Sequence, residues 1–142
     1  MRLKYWSDLC ENLRAAHSSL QPNSEGARTW LGLKRPVKNF SFGLYTASDH
    51  ISVYIGFSGE EAVRLIEQLR DKHKSQFEEE VGGKVEWPGA MNESTRFYLS
   101  VWSDADPSDS SDWPSQHQWL KETGEKVARA FPKYVELVSK RK

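Results

Sequence analysis

The sequence predicts an α+β domain, an antiparallel sheet built from two β-hairpins and packed with three helices in the order α-ββ-α-ββ-α. Three observations lead there. Apolar residues recur at three- and four-residue steps in three segments, the helical period. They alternate every second residue in two pairs of short runs bridged by turn formers, the hairpin signature. The 142 residues also suit one unit able to bury a real core, so residues 1–142 are read as a single domain.

Trp6, Leu9, Leu13, Ala16 and Leu20 share one helical face, which predicts a first helix over Lys4 to Leu20. Pro22-Asn23-Ser24 ends it. A short amphipathic piece is expected around Glu25 to Leu31. Phe40, Phe42 and Leu44 then alternate with Ser41, Gly43 and Tyr45. After the Ser48-Asp49-His50 turn, Ile51, Val53, Ile55 and Phe57 alternate with Ser52, Tyr54, Gly56 and Ser58, completing the first hairpin.

Ser58 is expected to cap the second helix, with Glu60 and Glu61 at the positive end of its dipole. Ala62, Val63, Ile66, Leu69, His73 and Phe77 form its apolar stripe, and Gly82-Gly83 stops it, since glycine accepts the left-handed conformation of a helix end. Val85 and Trp87 open the second hairpin, the polar Asn92-Glu93-Ser94 turns it, and Arg96 to Trp102 closes it. Ser110, Ser111 and Asp112 are cap candidates for the third helix, which starts at Trp113-Pro114 and carries Trp119, Leu120, Val127 and Phe131. Pro132 either kinks it or starts a short last helix.

Composition narrows the function classes. Twenty Lys and Arg balance twenty Asp and Glu, and this zero net charge argues against a general nucleic-acid or membrane coat. Residues 1–58 carry seven basic and four acidic groups, while 59–142 carry thirteen and sixteen. Arg2, Lys4, Arg28, Lys34, Arg35 and Lys38 therefore form either a basic stripe with the Lys140-Arg141-Lys142 tail or scattered solubilising charge. No apolar run approaches the ~18 residues of a membrane span, and the N-terminus lacks a signal-peptide core. The lone Cys10 allows no internal disulfide and fits a reducing compartment, so a cytoplasmic protein with no membrane partner is expected.

Period-two geometry singles out one set of residues. If Ile51, Val53, Ile55, Phe57, Phe97, Leu99 and Val101 face the helices, then Tyr45, Tyr54, Arg96, Tyr98 and Trp102 face the other way. Rings and a guanidinium on an open sheet suit base stacking or the centre of a protein interface, including a homodimer; a helix over them would make them a second core layer.

The enzymatic signals are poorer. Asp104, Asp106, Asp109 and Asp112 depart from the EF-hand pattern and read as a capped, solvated loop, so no metal is assigned. Nuclease-type acidic-x-Lys spacing, a phosphate-binding glycine loop and a motif joining Cys10 to a histidine are all missing, and neither a cofactor nor a catalytic residue is assigned. The rival reading is an undescribed enzyme with a small polar site around His117 and Asp112, tested together with His50. A third is a structural or oligomerisation domain with no ligand.

Tyr5-Trp6, His17, Ile51-Ser52-Val53-Tyr54-Ile55, Leu69, Gly82-Gly83-Lys84-Val85-Glu86-Trp87, Arg96, Trp113, His117, Trp119-Leu120 and Phe131 give the chain a resemblance, over nearly its whole length, to the bacterial and archaeal "domain of unknown function 4268" family. The family has no established activity and supplies no catalytic residues. In longer relatives such a domain follows a restriction-endonuclease-like segment, which implies work beside nucleases or in defence against foreign DNA. The chain, expected to be the accessory domain alone, is therefore read as a non-catalytic binding module for nucleic acid or a partner protein.

Overall fold

The computed structural model describes residues 2–22, 29–89 and 96–139. Its elements are α1 (Arg2–Ala15), β1 (Trp30–Leu33), β2 (Ser41–Thr46), β3 (His50–Phe57), α2 (Glu60–Val81), β4 (Lys84–Glu86), β5 (Phe97–Asp104) and α3 (Trp113–Ser139). The strands form one antiparallel sheet in the order β1-β2-β3-β5-β4. The α+β class and both expected hairpins are present.

The alternation of apolar residues decides how the layers stack. Leu31, Leu33, Phe42, Leu44, Ile51, Val53, Ile55, Leu99 and Val101 are buried in one cluster with Trp6 and Leu9 of α1, Ile66, Leu69 and Phe77 of α2, and Leu120, Val127 and Phe131 of α3. All three helices thus lie on one side of the sheet. None of them is long and apolar enough to cross a membrane. Phe40 anchors the layers, its ring 5.1 Å from Phe131 and 6.1 Å from Phe57.

Several local expectations are corrected. The first helix stops at Ala15 rather than Leu20 because His17 turns left-handed (φ 52°) and Ser18 N–H donates back to the Leu13 carbonyl at 2.9 Å. Leu20 still reaches the core, but from the segment after the helix. Of the piece expected over Glu25 to Leu31, residues 23–28 lie outside the described residues, and Trp30 and Leu31 belong to a strand that pairs with β2. Leu31 and Leu33 point inward and Trp30 outward, a period of two that a four-residue run displays too briefly to stand out. Gly59, not Ser58, occupies the position before α2, and no side chain caps it. Gly82 ends α2 left-handed, as expected. A tight turn over Ser110–Asp112, not foreseen from the sequence, precedes α3 and is capped by Asp109, which accepts from Ser111 N–H at 3.2 Å; of the three cap candidates for α3, Asp112 is the residue directly before it. One helix continues through Pro132. The Asn92-Glu93-Ser94 turn and the basic stripe's Arg28 and Lys140–Lys142 lie outside the described residues.

His117 lies in the layer between α1 and α3. It is buried, its ring centroid is 4.5 Å from that of Tyr5, and among the described residues its Nε2 has no hydrogen-bond partner. Burial holds its pKa below the ordinary 6.5, against smaller upward pulls from Asp8 and the Tyr5 backbone. The folded imidazole therefore stays neutral where the unfolded chain already binds a proton. Stability is complete above pH 6.5 and falls as the pH drops below it. In urea unfolding at a series of pH values, His117→Phe is expected to flatten this acid limb; an unchanged limb would assign the loss to other groups.

Two glycines on the helix-free side are fixed by close approach. A Cβ on Gly43 would meet the Tyr54 ring and, 2.7 Å away, the Leu31 carbonyl oxygen of the neighbouring strand. A Cβ on Gly56 would meet only side chains: Ser41 Oγ at 2.5 Å, Arg96 Nη2 at 2.8 Å and Tyr98 Cε1 at 3.0 Å. Side chains swing aside and a paired backbone does not. Gly43→Ala should therefore cost ~1–3 kcal/mol in urea unfolding and Gly56→Ala distinctly less; the reverse order would show that the β1–β2 pairing yields.

Candidate functional site

The side of the sheet away from the helices carries a groove of about 710 Å³. Tyr45, Tyr54, Arg96, Tyr98 and Trp102 all line it, joined by Trp30 and His50. The register arranges them in cross-strand rows, with successive rows two residues and hence ~6.6 Å apart. Ser41, Gly56 and Tyr98 form the first row. Gly32, Gly43, Tyr54, Ser100 and Glu86 form the second. Trp30, Tyr45, Ser52, Trp102 and Lys84 form the third. His50 and Asp104 follow beyond it.

Each row sets at least one ring beside a glycine or serine, and a Cβ on Gly43 or Gly56 would meet the Tyr54 or Tyr98 ring, so these small residues make a floor for the two tyrosines. Tyr98 remains 50 % exposed, Trp30 44 % and Tyr45 37 %, so among the described residues a large part of each of these side chains stays on the surface. Tyr54 and Tyr98 meet edge to face with centroids 5.7 Å apart, and His50 meets Trp102 in the same way at 5.9 Å. Burial raises the Tyr54 hydroxyl pKa, Tyr98 adds to the effect and Arg96 partly offsets it, so Tyr54 stays a neutral hydrogen-bonding group at physiological pH.

Two cations rest on the rings. The Arg96 guanidinium lies 5.7 Å from the Tyr98 centroid and donates to the Ser41 hydroxyl. Lys84 Nζ sits 4.6 Å from the Trp102 centroid and 3.3 Å from an Asp104 carboxylate oxygen. Glu86 is the groove's carboxylate.

Sequence reasoning missed Trp30, His50 and Glu86 as members of this surface. His50 was available from its phase with Ser52 and Tyr54; Trp30 required recognition of β1. The polar groups of the rival enzyme reading, His117, Asp112 and His50, do not come together. His50 lines the groove and donates from Nδ1 to an Asp49 carboxylate oxygen at 2.8 Å, while His117 is buried against Tyr5 on the other side of the sheet. Asp112 accepts from Gln116 Nε2 at 3.0 Å. The acidic loop is similarly engaged: Asp106 accepts from both Ser108 N–H and its hydroxyl, which lower its pKa, and Asp109 caps the turn. Among the described residues no group of three His, Cys, Asp or Glu side chains converges on a metal position.

Comparison with known proteins found no matching curated protein and no matching solved structure. A family model does match, over residues 1–135, and through nearly all of its length the chain belongs to the family described as Domain of unknown function (DUF4268).

Proposed function

We propose that the chain is a non-catalytic binding module that takes single-stranded nucleic acid across the aromatic face of its sheet, as an accessory to a nuclease or a foreign-DNA defence system. The observation that carries this reading is the ring array: Tyr98, then Tyr54, then Tyr45 and Trp102 occupy three successive rows of a sheet face that none of the described helices covers. Unpaired bases stack on such rings whatever their identity, because every base has a π-face.

The charge balance favours a single strand over a duplex. Duplex binding draws much of its strength from neutralising many phosphates, and proteins with 6–10 such contacts lose ~10³–10⁵ in affinity on modest addition of salt. Among the described residues Arg96 and Lys84 are the two cations over the groove's rings, and the chain as a whole is neutral. Two phosphate contacts on a single strand correspond to a log–log salt slope of about −1.4. The groove's concavity also suits a narrow chain better than a protein surface, which needs ~800 Å² from each partner.

Anisotropy of labelled single-stranded and duplex oligonucleotides across a salt series tests this. The single strand should bind more tightly with a shallow slope near that value, and Arg96→Ala should reduce the slope by about 0.7. Tyr98→Ala should cost ~1–3 kcal/mol of affinity. Absence of single-strand binding at low salt overturns the reading, and a dimer in sedimentation that dissociates on Tyr98→Ala would give the same face to a protein partner.

A further inference from the structure

We infer that Glu86 makes the groove selective for a base with adjacent N–H donors, guanine above all, and unfavourable to thymine. The inference rests on the single-strand reading of the groove and assigns its specificity.

Glu86 is on the outer strand β4, opposite Ser100 and in the same row as Tyr54. Tyr54 and Glu86 are thus two strand spacings of ~4.8 Å apart, with the small Ser100 between them. The Tyr54 ring leans the other way, over Gly43, so the surface above Ser100 is left as a slot in which a base entering the groove beside the rings presents its edge to the carboxylate. No other carboxylate lines the groove among the described residues.

The nearby cations are already engaged: Lys84 with Asp104 and the Trp102 ring, Arg96 with Ser41 and the Tyr98 ring. Among the described residues the Glu86 side chain has no hydrogen bond or ion pair. An uncompensated negative charge on a surface for a polyanion weakens binding unless the ligand brings donors to it. An ionised carboxylate only accepts, through two oxygens side by side.

The bases meet that requirement unequally. Guanine offers N1–H and the N2 amino group next to each other, matching both oxygens at once. Cytosine and adenine each offer one amino group beside a ring-nitrogen acceptor. Thymine offers a single N–H between two carbonyl oxygens, both of which repel the carboxylate. Charge-assisted bidentate bonds are the strong ones, and a site built to accept them rejects a ligand that lacks the donors.

The test uses the intact chain and four labelled heptamers, one all-thymidine and three with a central guanosine, cytidine or adenosine in the same thymidine context. The guanosine heptamer should bind about tenfold or more tightly than the all-thymidine one, with the other two between. Glu86→Gln and Glu86→Ala should erase most of that preference and tighten the all-thymidine complex, while circular dichroism shows the fold retained. Equal affinities in the wild type, or a guanine preference that survives in both variants, overturns the inference and leaves the single-strand reading intact. Failure of every heptamer to bind at low salt overturns both.

Discussion

Burial of one face of β3 beneath the helices is the constraint on which the other placements depend. Ile51, Val53, Ile55 and Phe57 are all buried there, and full burial of such side chains is worth ~1.5–3 kcal/mol each. Four of them supply an amount comparable to the whole stability of a typical domain, ~5–15 kcal/mol. A one-residue slip of the strand would put Ser52, Tyr54 and Gly56 in the core instead, so the register is tightly specified. Because β3 is the central strand, β2 and β5 inherit that phase through pairing, and β1 and β4 inherit it from them. The position of Tyr54 on the outside is therefore set by the core on the inside.

The outer face has its own physical logic. An exposed sheet of aromatics invites association, yet here Gly43, Gly56, Ser52 and Ser100 are interspersed among the rings and keep the surface concave. Gly43 brings the Tyr54 ring down onto the backbone, so the ring is half-buried without any helix above it. Arg96 and Lys84 then lie over ring faces. Exposed cation–π contacts of this kind are worth ~0.5–1 kcal/mol, less than the ~1–3 kcal/mol of a base stacking on a ring, so they orient the rings without closing the groove.

Much of this was legible in the sequence because the central strands have clean alternation. Once Ile51, Val53 and Ile55 were assigned to the core, Tyr45, Tyr54, Tyr98 and Trp102 had one direction left. Whether anything covered them was not legible, since that depends on which side of the sheet three helices choose, a tertiary outcome. β1 was missed because four residues hold only two inward side chains, Leu31 and Leu33, and Trp30 was lost with it. Ser58 looked like a cap by type, but Gly59 takes the position with φ 96°, a conformation side chains rarely adopt. The end of the first helix was misplaced because Ala16 and Leu20 continue the helical spacing even though the chain has already turned at His17.

The neutral charge of the chain, which at first only argues against a basic coat, bears directly on how a strand would be held. A nucleic-acid surface with two cations draws little from phosphates, so its affinity has to come from the bases, through stacking and through their edges. Under that condition a carboxylate in the groove is compatible with binding: the phosphate repulsion it adds is modest, while the base edge it faces carries the sequence information. A strongly basic groove would bind every strand and need no such residue. On the proposed reading the two cations beside the rings and Glu86 would act together, weak attraction to the backbone leaving the choice of base to decide the complex.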